Sequence, residues 1–268
     1  MCDTKKIIER LLSGRAMILA ILQARMSSRR LPGKVLKPIL GRPMLGLQIE
    51  RLQRVKNISH LVVATSEDGA DDVIVNFCQS IRVACFRGSL HDVLDRFYQV
   101  AKQYKSQQVL RITGDCPLID PEVVDAVIEQ HLLQDNDYTS NILPATFPDG
   151  LDVEIFRFSC LEKAWREAGL SSEREHVTPY IYRKDVGFKV ANYECAGDYS
   201  KMRWTVDELI DFQLVNYIYE ALYPQKNDFN MWDILMLLQQ NPEWARLNNQ
   251  IPRNIGYSNS LYNDFIRE

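Results

Sequence analysis

Six consecutive apolar residues, Met17-Ile18-Leu19-Ala20-Ile21-Leu22, constrain this chain more than any other stretch. A strand with one wet face alternates apolar and polar residues, so a run apolar at every position has to be covered on both sides. The rest of the N-terminal half repeats that theme. After a basic turn, Pro43 to Lys56 reads as a helix with Leu45, Ile49, Leu52 and Val55 on one face, and His60 to Thr65 as a second strand. Asp68 is placed to cap a helix over about 70–80. A third strand is expected over 82–86, a helix over 92–104 and a fourth strand over 107–113. Pro121 then sits where a helix can begin, and that helix runs to about Gln134. Strand–helix alternation at this spacing predicts an α/β fold of three layers, an open and mostly parallel sheet covered on both faces.

The second half is less regular. Strands are expected over 137–140, 151–158 and 187–193, and helices over 159–167, 173–183 and 206–222. No internal repeat or Ser/Gly linker divides the chain. Residues 17–250 read as one domain. Residues 1–16 read as an N-terminal extension with a short helical stripe (Ile7, Ile8, Leu11, Leu12), and 251–268 as a C-terminal tail.

Composition narrows the function classes. At 46% hydrophobic and 25% charged residues, the chain is neither disordered nor a coiled coil. Its 32 basic and 35 acidic residues lack the basic excess of a protein that coats nucleic acid. No stretch approaches the ~18 apolar residues of a membrane span. The start, Met1-Cys2-Asp3-Thr4-Lys5-Lys6, shows no signal-peptide pattern. Six cysteines without a C-x-x-C pair suggest reduced structural thiols, and the four histidines fit no zinc template. A cytosolic protein is expected, with no nucleic-acid or membrane partner.

The chemistry concentrates after the first strand, in Gln23-Ala24-Arg25-Met26-Ser27-Ser28-Arg29-Arg30-Leu31-Pro32-Gly33-Lys34. Ligands of an open parallel sheet bind beyond the C-terminal strand ends. A turn there with four cations can wrap a polyphosphate through backbone N–H groups and charge-assisted bonds. It is neither a Walker loop nor G-x-G-x-x-G. Standing by itself, it could equally be a solvated basic turn. Two carboxylates change the balance. Asp115 ends the strand Val109-Leu110-Arg111-Ile112-Thr113-Gly114, and Asp207 ends Arg203-Trp204-Thr205-Val206 just before a helix. Each alone could be a cap. Together with the loop they make a metal–triphosphate site. Cys116, followed by Pro117 and without a nearby histidine, reads as a packed thiol.

The motifs A-R-x-x-S-x-R-L-P-G-K-V-L, V-V-A-T-S, F-R-G-S, D-V-L-D-R, R-I-T-G-D-C-P-L-I-D-P, G-L-D-V-E, S-E-R-E-H-V-T-P-Y-I-Y and R-W-T-V-D, in that order over about residues 17–250, resemble the cytidylyltransferase family. That family makes CMP-activated acidic sugars, and the likeness is greatest to its spore coat polysaccharide branch. The resemblance implies a Rossmann-like nucleotidyltransferase fold, with a small protruding segment at about 138–185 for dimerisation and the acceptor. It implies that Arg25, Ser28, Arg30 and Lys34 bind the triphosphate of CTP, with Gln23, Ala24, Thr65, Arg87, Asp95, Thr113 and Gly114 around the nucleotide. Asp115 and Asp207 would hold one or two Mg²⁺ ions. Arg25, Arg30, Lys34 and Asp115 would carry catalysis. Asn141, Asp152, Glu154, Glu175, His176 and Tyr180 would face the acceptor. Ser27 departs from the pattern, since the family often has glycine at that point of the loop.

The implied reaction is attack of an acceptor oxygen on the α-phosphorus of CTP with release of pyrophosphate, which needs positioning and neutralisation more than covalent chemistry. The alternatives are a nucleotidyltransferase for a sugar-1-phosphate or another phosphorylated small molecule, a non-enzymatic nucleotide-binding subunit of a larger assembly, or a glycosyltransferase. The last usually holds its metal through D-x-D at a strand end, whereas Asp135-Asn136-Asp137 falls after a helix. A homodimer is also expected. The resemblance suggests it, and Tyr138, Ile142, Leu143, Phe147, Phe156 and Phe158 offer more apolar surface than a small excursion should cover; the competing reading is that the C-terminal tail folds over that patch.

Overall fold

The computed structural model describes residues 16–264. Seven strands form the main sheet: β1 (Ile18–Gln23), β4 (His60–Ser66), β5 (Ala84–Gly88), β6 (Gln108–Thr113), β7 (Tyr138–Ser140), β8 (Glu154–Arg157) and β9 (Val190–Asn192). Their order is β5-β4-β1-β6-β8-β7-β9. Only β8 runs against the rest, pairing antiparallel with both β6 and β7. The short strands β2 (Pro38–Ile39) and β3 (Arg42–Pro43) form a separate two-stranded sheet. The mostly parallel α/β architecture is therefore the one the apolar first strand demands.

That demand is met residue by residue along β1. Ile18, Ala20 and Leu22 enter one buried core and Leu19 and Ile21 the other. The first core is closed by α1 (Met44–Leu52), α2 (Asp72–Ser80), α4 (Pro121–Gln134), α7 (Leu209–Leu222) and α8 (Met231–Gln240). The second is closed by α3 (Val93–Gln103) and α5 (Phe158–Glu167), with Val177, Tyr180 and Ile181 from the segment after α6 (Ser171–His176). A strand whose alternate side chains fill two cores cannot slip register without burying the wrong set. Register in turn fixes the rim, because Gln23 stands opposite both Ala64 and Thr113, and Thr65 opposite Arg87.

Local signals act much as expected. Asp120 caps α4 through Glu122 N at 2.8 Å, with Pro121 in its first turn. The other carboxylate oxygen of Asp120 accepts from Met231 N at 2.6 Å and ties α4 to α8. Asp68 caps a short 3-10 turn, Gly69–Asp71, which leads into α2. Two expectations need correction. The helix expected over 173–183 is only α6, ending at His176. Val177 adopts φ 72°, and Thr178 precedes a proline, a position that disfavours helical backbone. The segment 138–185 is also less of an excursion than its apolar content suggested. It gives β7 and β8 to the main sheet, and Tyr138, Phe147 and Phe156 are buried within the chain. Leu143, 41% exposed, is the large apolar side chain it leaves in solvent. Exposed apolar area thus gives no reason for a dimer.

The tail does not stand apart either. After the short α9 (Pro242–Ala245), α10 (Ile255–Tyr262) packs against α6. The stripe Ile7, Ile8, Leu11 and Leu12 lies outside the described residues. No helix among the described residues is long and apolar enough to cross a membrane.

Candidate active site

The rim is built by extending the strand ladders past the strand ends. Ala24 N donates to Ala64 O at 3.1 Å, and Gly114 N to Gln23 O at 2.8 Å. A Cβ on residue 114 would sit 2.8 Å from that same carbonyl, so only glycine lets the chain after β6 approach β1. Asp115 is thereby delivered beside the basic loop. The loop folds on itself through Met26 O, which accepts from Ser28 N at 2.9 Å and Gly33 N at 3.0 Å, and Gly33 takes φ 70°. Asp71 anchors it from α2's approach, accepting from Met26 N at 2.7 Å. Ser27 is accommodated without a positive φ, since among the described residues the non-glycine positive-φ positions all lie outside this loop.

A one-turn 3-10 helix, Lys34–Leu36, then points Lys34 inward, where it is 7% exposed. Its ammonium donates to Asp115 Oδ2 at 3.0 Å, Asp207 Oδ1 at 2.9 Å and Val206 O at 2.7 Å. All three N–H donors are used. Burial pulls the Lys34 pKa down, but the two carboxylates outweigh it and raise it above its ordinary value. Burial likewise pushes Asp115 up, and Lys34 and Thr113 more than reverse it, holding the carboxyl well below the usual range.

Asp207 is not a helix cap. Its own N–H and that of Glu208 donate to Asp211 Oδ2 at 3.0 and 2.9 Å, so Asp211 caps the start of α7. The Asp207 carboxylate instead meets cations: Lys34, Arg203 at 2.8 Å and Arg30 at 2.9 Å. Arg203 is buried and also pairs with Asp149 at 2.9 Å and Asp211 at 3.0 Å. The segment is held to the strand end by Val206 N and Thr205 Oγ1, both donating to Asp115 O, at 2.7 and 3.1 Å. Three cations and two carboxylates share one patch. Mg²⁺ is commonly held by one or two carboxylates with phosphate oxygens completing its shell, and this donor set suits that. No group of three or more His, Cys, Asp or Glu that could hold a metal exists among the described residues.

The other expected nucleotide residues divide. Gln23, Ala24, Thr65, Thr113 and Gly114 line up on the rim through the strand register. Gln23 Oε1 is buried without a partner among the described residues. Arg25 is half exposed, with Glu175 at 3.8 Å. Arg87 spends its guanidinium on Ser66 O, Asp68 O and Asp72, closing the turn after β4. Asp95 accepts from Trp165 Nε1 at 2.8 Å and Gln99 at 3.0 Å, which joins α3 to α5. Sequence reasoning missed Arg96. It is buried, donates to Ala64 O at 3.3 Å and Ser89 O at 2.8 Å, and burial with Arg25 nearby lowers its pKa to about 10. It closes the D-V-L-D-R motif, from which only Asp95 was taken as a site residue.

On the acceptor side the chain supplies many of its own partners. The Asn141 amide donates to Leu151 O at 2.7 Å and accepts from Val153 N at 2.8 Å. Glu154 is buried against Arg111, Tyr138 OH at 2.7 Å and Thr178 Oγ1 at 2.6 Å. The Tyr180 hydroxyl donates to Glu167. These three expected acceptor contacts are thus committed to intrachain bonds. Asp152 pairs with Arg253; burial and the carboxylates of Asp149, Glu154 and Asp115 outweigh that cation and push it up to about 7. His176 shares a hydrogen bond with Ser260 Oγ at 2.9 Å, and burial with Arg111 nearby lowers it to about 4. Cys116 is a buried thiol pushed well up by burial and by Asp115, the inert group expected. Asp135 and Asp137 both pair with Arg157, at 2.7 and 3.2 Å, so the D-x-D sequence belongs to the turn after α4.

Comparison with known proteins shows the family and the fold. The sequence model of the cytidylyltransferase family matches residues 19–235. The spore coat polysaccharide biosynthesis protein SpsF of Bacillus subtilis is 34% identical over 235 residues, covering 85% of this chain and 96% of that one. A 3-deoxy-manno-octulosonate cytidylyltransferase of Geobacter sulfurreducens is 35% identical over a shorter stretch, 41% of this chain and 44% of its own length. The solved structure of a cytidylyltransferase from Leptospira borgpetersenii superposes with a TM-score of 0.81 at 33% identity, covering 85% of this chain and 96% of that chain.

Proposed function

Because this chain belongs to the cytidylyltransferase family, we propose that it transfers CMP from CTP to an acidic or phosphorylated sugar-like acceptor and releases pyrophosphate. A role in making a surface polysaccharide or glycan goes with that reading, supported by the name of its Bacillus relative. The observation that carries it is the meeting of Asp115 and Asp207 on the buried Lys34 ammonium, at the strand ends beside the basic loop.

Each part has a task that its charge suits. Arg25, Arg30 and Lys34 receive the triphosphate and offset the charge that builds on departing pyrophosphate. Asp115 and Asp207 would hold Mg²⁺, which when bound adds positive charge at the phosphate oxygens. Arg203, locked between Asp149, Asp207 and Asp211, keeps Asp207 at a fixed place. Gln23 presents an unpaired buried oxygen, suited to accept from the exocyclic amine of cytosine. An in-line displacement then needs mainly orientation. The sugar-acid side of the proposal is supported by the partial likeness to 3-deoxy-manno-octulosonate cytidylyltransferase and by the cations Arg25, Arg111 and Arg253 near the expected acceptor residues. A homodimer is part of the same reading on the resemblance alone, and light scattering reads it directly against the 31.1 kDa of one chain.

Calorimetric titration with CTP, UTP, ATP and GTP in Mg²⁺ is expected to rank CTP first, because a site built on hydrogen bonds rejects a base that cannot make them. Equal or tighter purine binding would overturn the nucleotide assignment. A pyrophosphate-release screen of CTP against sugar acids and sugar phosphates tests the acceptor.

A further inference from the structure

The tail lies beyond the stretch that the family model matches, residues 19–235, yet it reaches the acceptor side at several points. Tyr257 stands edge-on to the His176 ring, with centroids 5.0 Å apart. Ser260 Oγ bridges His176 Nε2 at 2.9 Å and Glu175 Oε2 at 3.0 Å. Asp264 accepts from Ser172 N at 2.9 Å and Ser172 Oγ at 2.6 Å, at the start of α6. Arg253 donates through Nη1 to Phe147 O at 3.0 Å and through Nη2 to Asp152. α10 is therefore clasped to α6, and Arg253, two residues ahead of it, is fastened beside Asp152.

Arg253 differs from the other contacts. Tyr257, Ser260 and Asp264 make bonds that a docked helix needs. Arg253 has both terminal nitrogens held in place, while its Nε–H is buried without an acceptor among the described residues. Buried donors in native proteins are nearly always satisfied, so an unpaired one on a fixed guanidinium calls for a partner. The same is true of Arg111 Nε, whose guanidinium is pinned by Glu154, two residues from Asp152. Guanidinium groups offer their donors in a rigid fork that matches carboxylate and phosphate oxygens.

We infer that Arg253 is an acceptor-binding residue, its unpaired Nε–H donating to an oxyanion, carboxylate or phosphate, of the acceptor. The acceptor site then draws on two distant parts of one chain, the run 141–176 and the tail. This rests on the acceptor class proposed above and adds a residue that no motif of the family's stretch contains.

The test uses the full chain with Mg²⁺ and a non-hydrolysable CTP analogue. Pyruvate serves as the carboxylate probe and inorganic phosphate as the phosphate probe, each titrated through the millimolar range by ligand-observed NMR. Wild type is expected to bind one of the two. R253K keeps a cation for Asp152 but has no Nε–H fork, and R253M keeps neither. Both should weaken that anion by about tenfold or more, the usual scale of a charge-assisted hydrogen bond. The CTP analogue should bind R253K as it binds wild type, which reports an intact fold. Failure of wild type to bind either anion, or equal anion binding by R253K, would overturn the inference. Failure of wild type to bind the CTP analogue would count against the proposed function, and the anion titration would still decide Arg253.

Discussion

The triphosphate side and the acceptor side of the same sheet rim are both dense in charge, and they hold it differently. On the first, Lys34, Arg30 and Arg203 surround Asp115 and Asp207, whose side chains are still 27% and 19% exposed. On the second, Glu154 is all but closed off by Arg111, Tyr138 and Thr178, and the Asn141 amide is spent on backbone. Charge that is held in place yet open can be lent to a ligand without reorganisation. Charge that is closed off works as structure. On the proposed function, the difference would separate residues that take part in the reaction from residues that support it, although the sequence motifs place both in a site.

Lys34→Met breaks the first pattern most severely. It leaves two neighbouring carboxylates without their shared cation, so stability should fall by ~3–5 kcal/mol and pyrophosphate release should disappear. Denaturant titration and a release assay on the same sample read both effects. Asn141→Ala tests the second pattern. Two buried backbone groups lose their partners, which should cost ~1–3 kcal/mol while the acceptor KM stays near wild type. A raised KM at unchanged stability would make Asn141 a ligand contact after all.

Acidification sharpens the contrast with a smaller effect. His176 and His131 titrate near 4 in the folded chain against 6.5 ordinarily, both lowered chiefly by burial. The unfolded chain therefore takes up protons first, and their contribution to stability is lost as pH falls from about 6.5 to about 4. Asp115 has the same sign but acts at lower pH. Its lowered pKa gives stability that persists until pH drops below 3.8 and on through its folded value. Denaturation curves at pH 7, 5 and 4 should show the histidine loss first, and His176→Gln should flatten it by about 1 kcal/mol. An unchanged slope in that variant would mean that His176 titrates as freely folded as unfolded.

How much of this was legible in the sequence depends on the range of each interaction. β1 was readable because burial on both faces is written in consecutive residues, and α4 because Asp120 and Pro121 are a local start signal. The cations of the loop and the two strand-end carboxylates were readable as chemistry. Their connection was not, since Lys34 reaches Val206 across 172 positions. The helix over 173–183 failed although the signal was local, since Thr178 precedes Pro179 and that position disfavours helical backbone. Arg253 carried no signal at all: an arginine in a polar tail acquires meaning only from Asp152 and Phe147, about a hundred residues earlier. Glu154 and Tyr180 looked like contacts for the same reason in reverse, their partners being hidden by the fold.

The central claim is that Asp115 and Asp207 serve nucleotidyl transfer rather than the ends of a turn and a helix. The direct measurement is pyrophosphate release and CTP affinity for Asp115→Asn and Asp207→Asn, side by side with wild type. Asparagine keeps an oxygen that could cap, but loses the anionic ligand. Turnover should fall on the order of 10²-fold or more in each variant. CTP affinity should fall much less, because Arg25, Arg30 and Lys34 remain, and melting should drop only modestly as Lys34 keeps its other carboxylate. Normal pyrophosphate release from both variants would contradict the account.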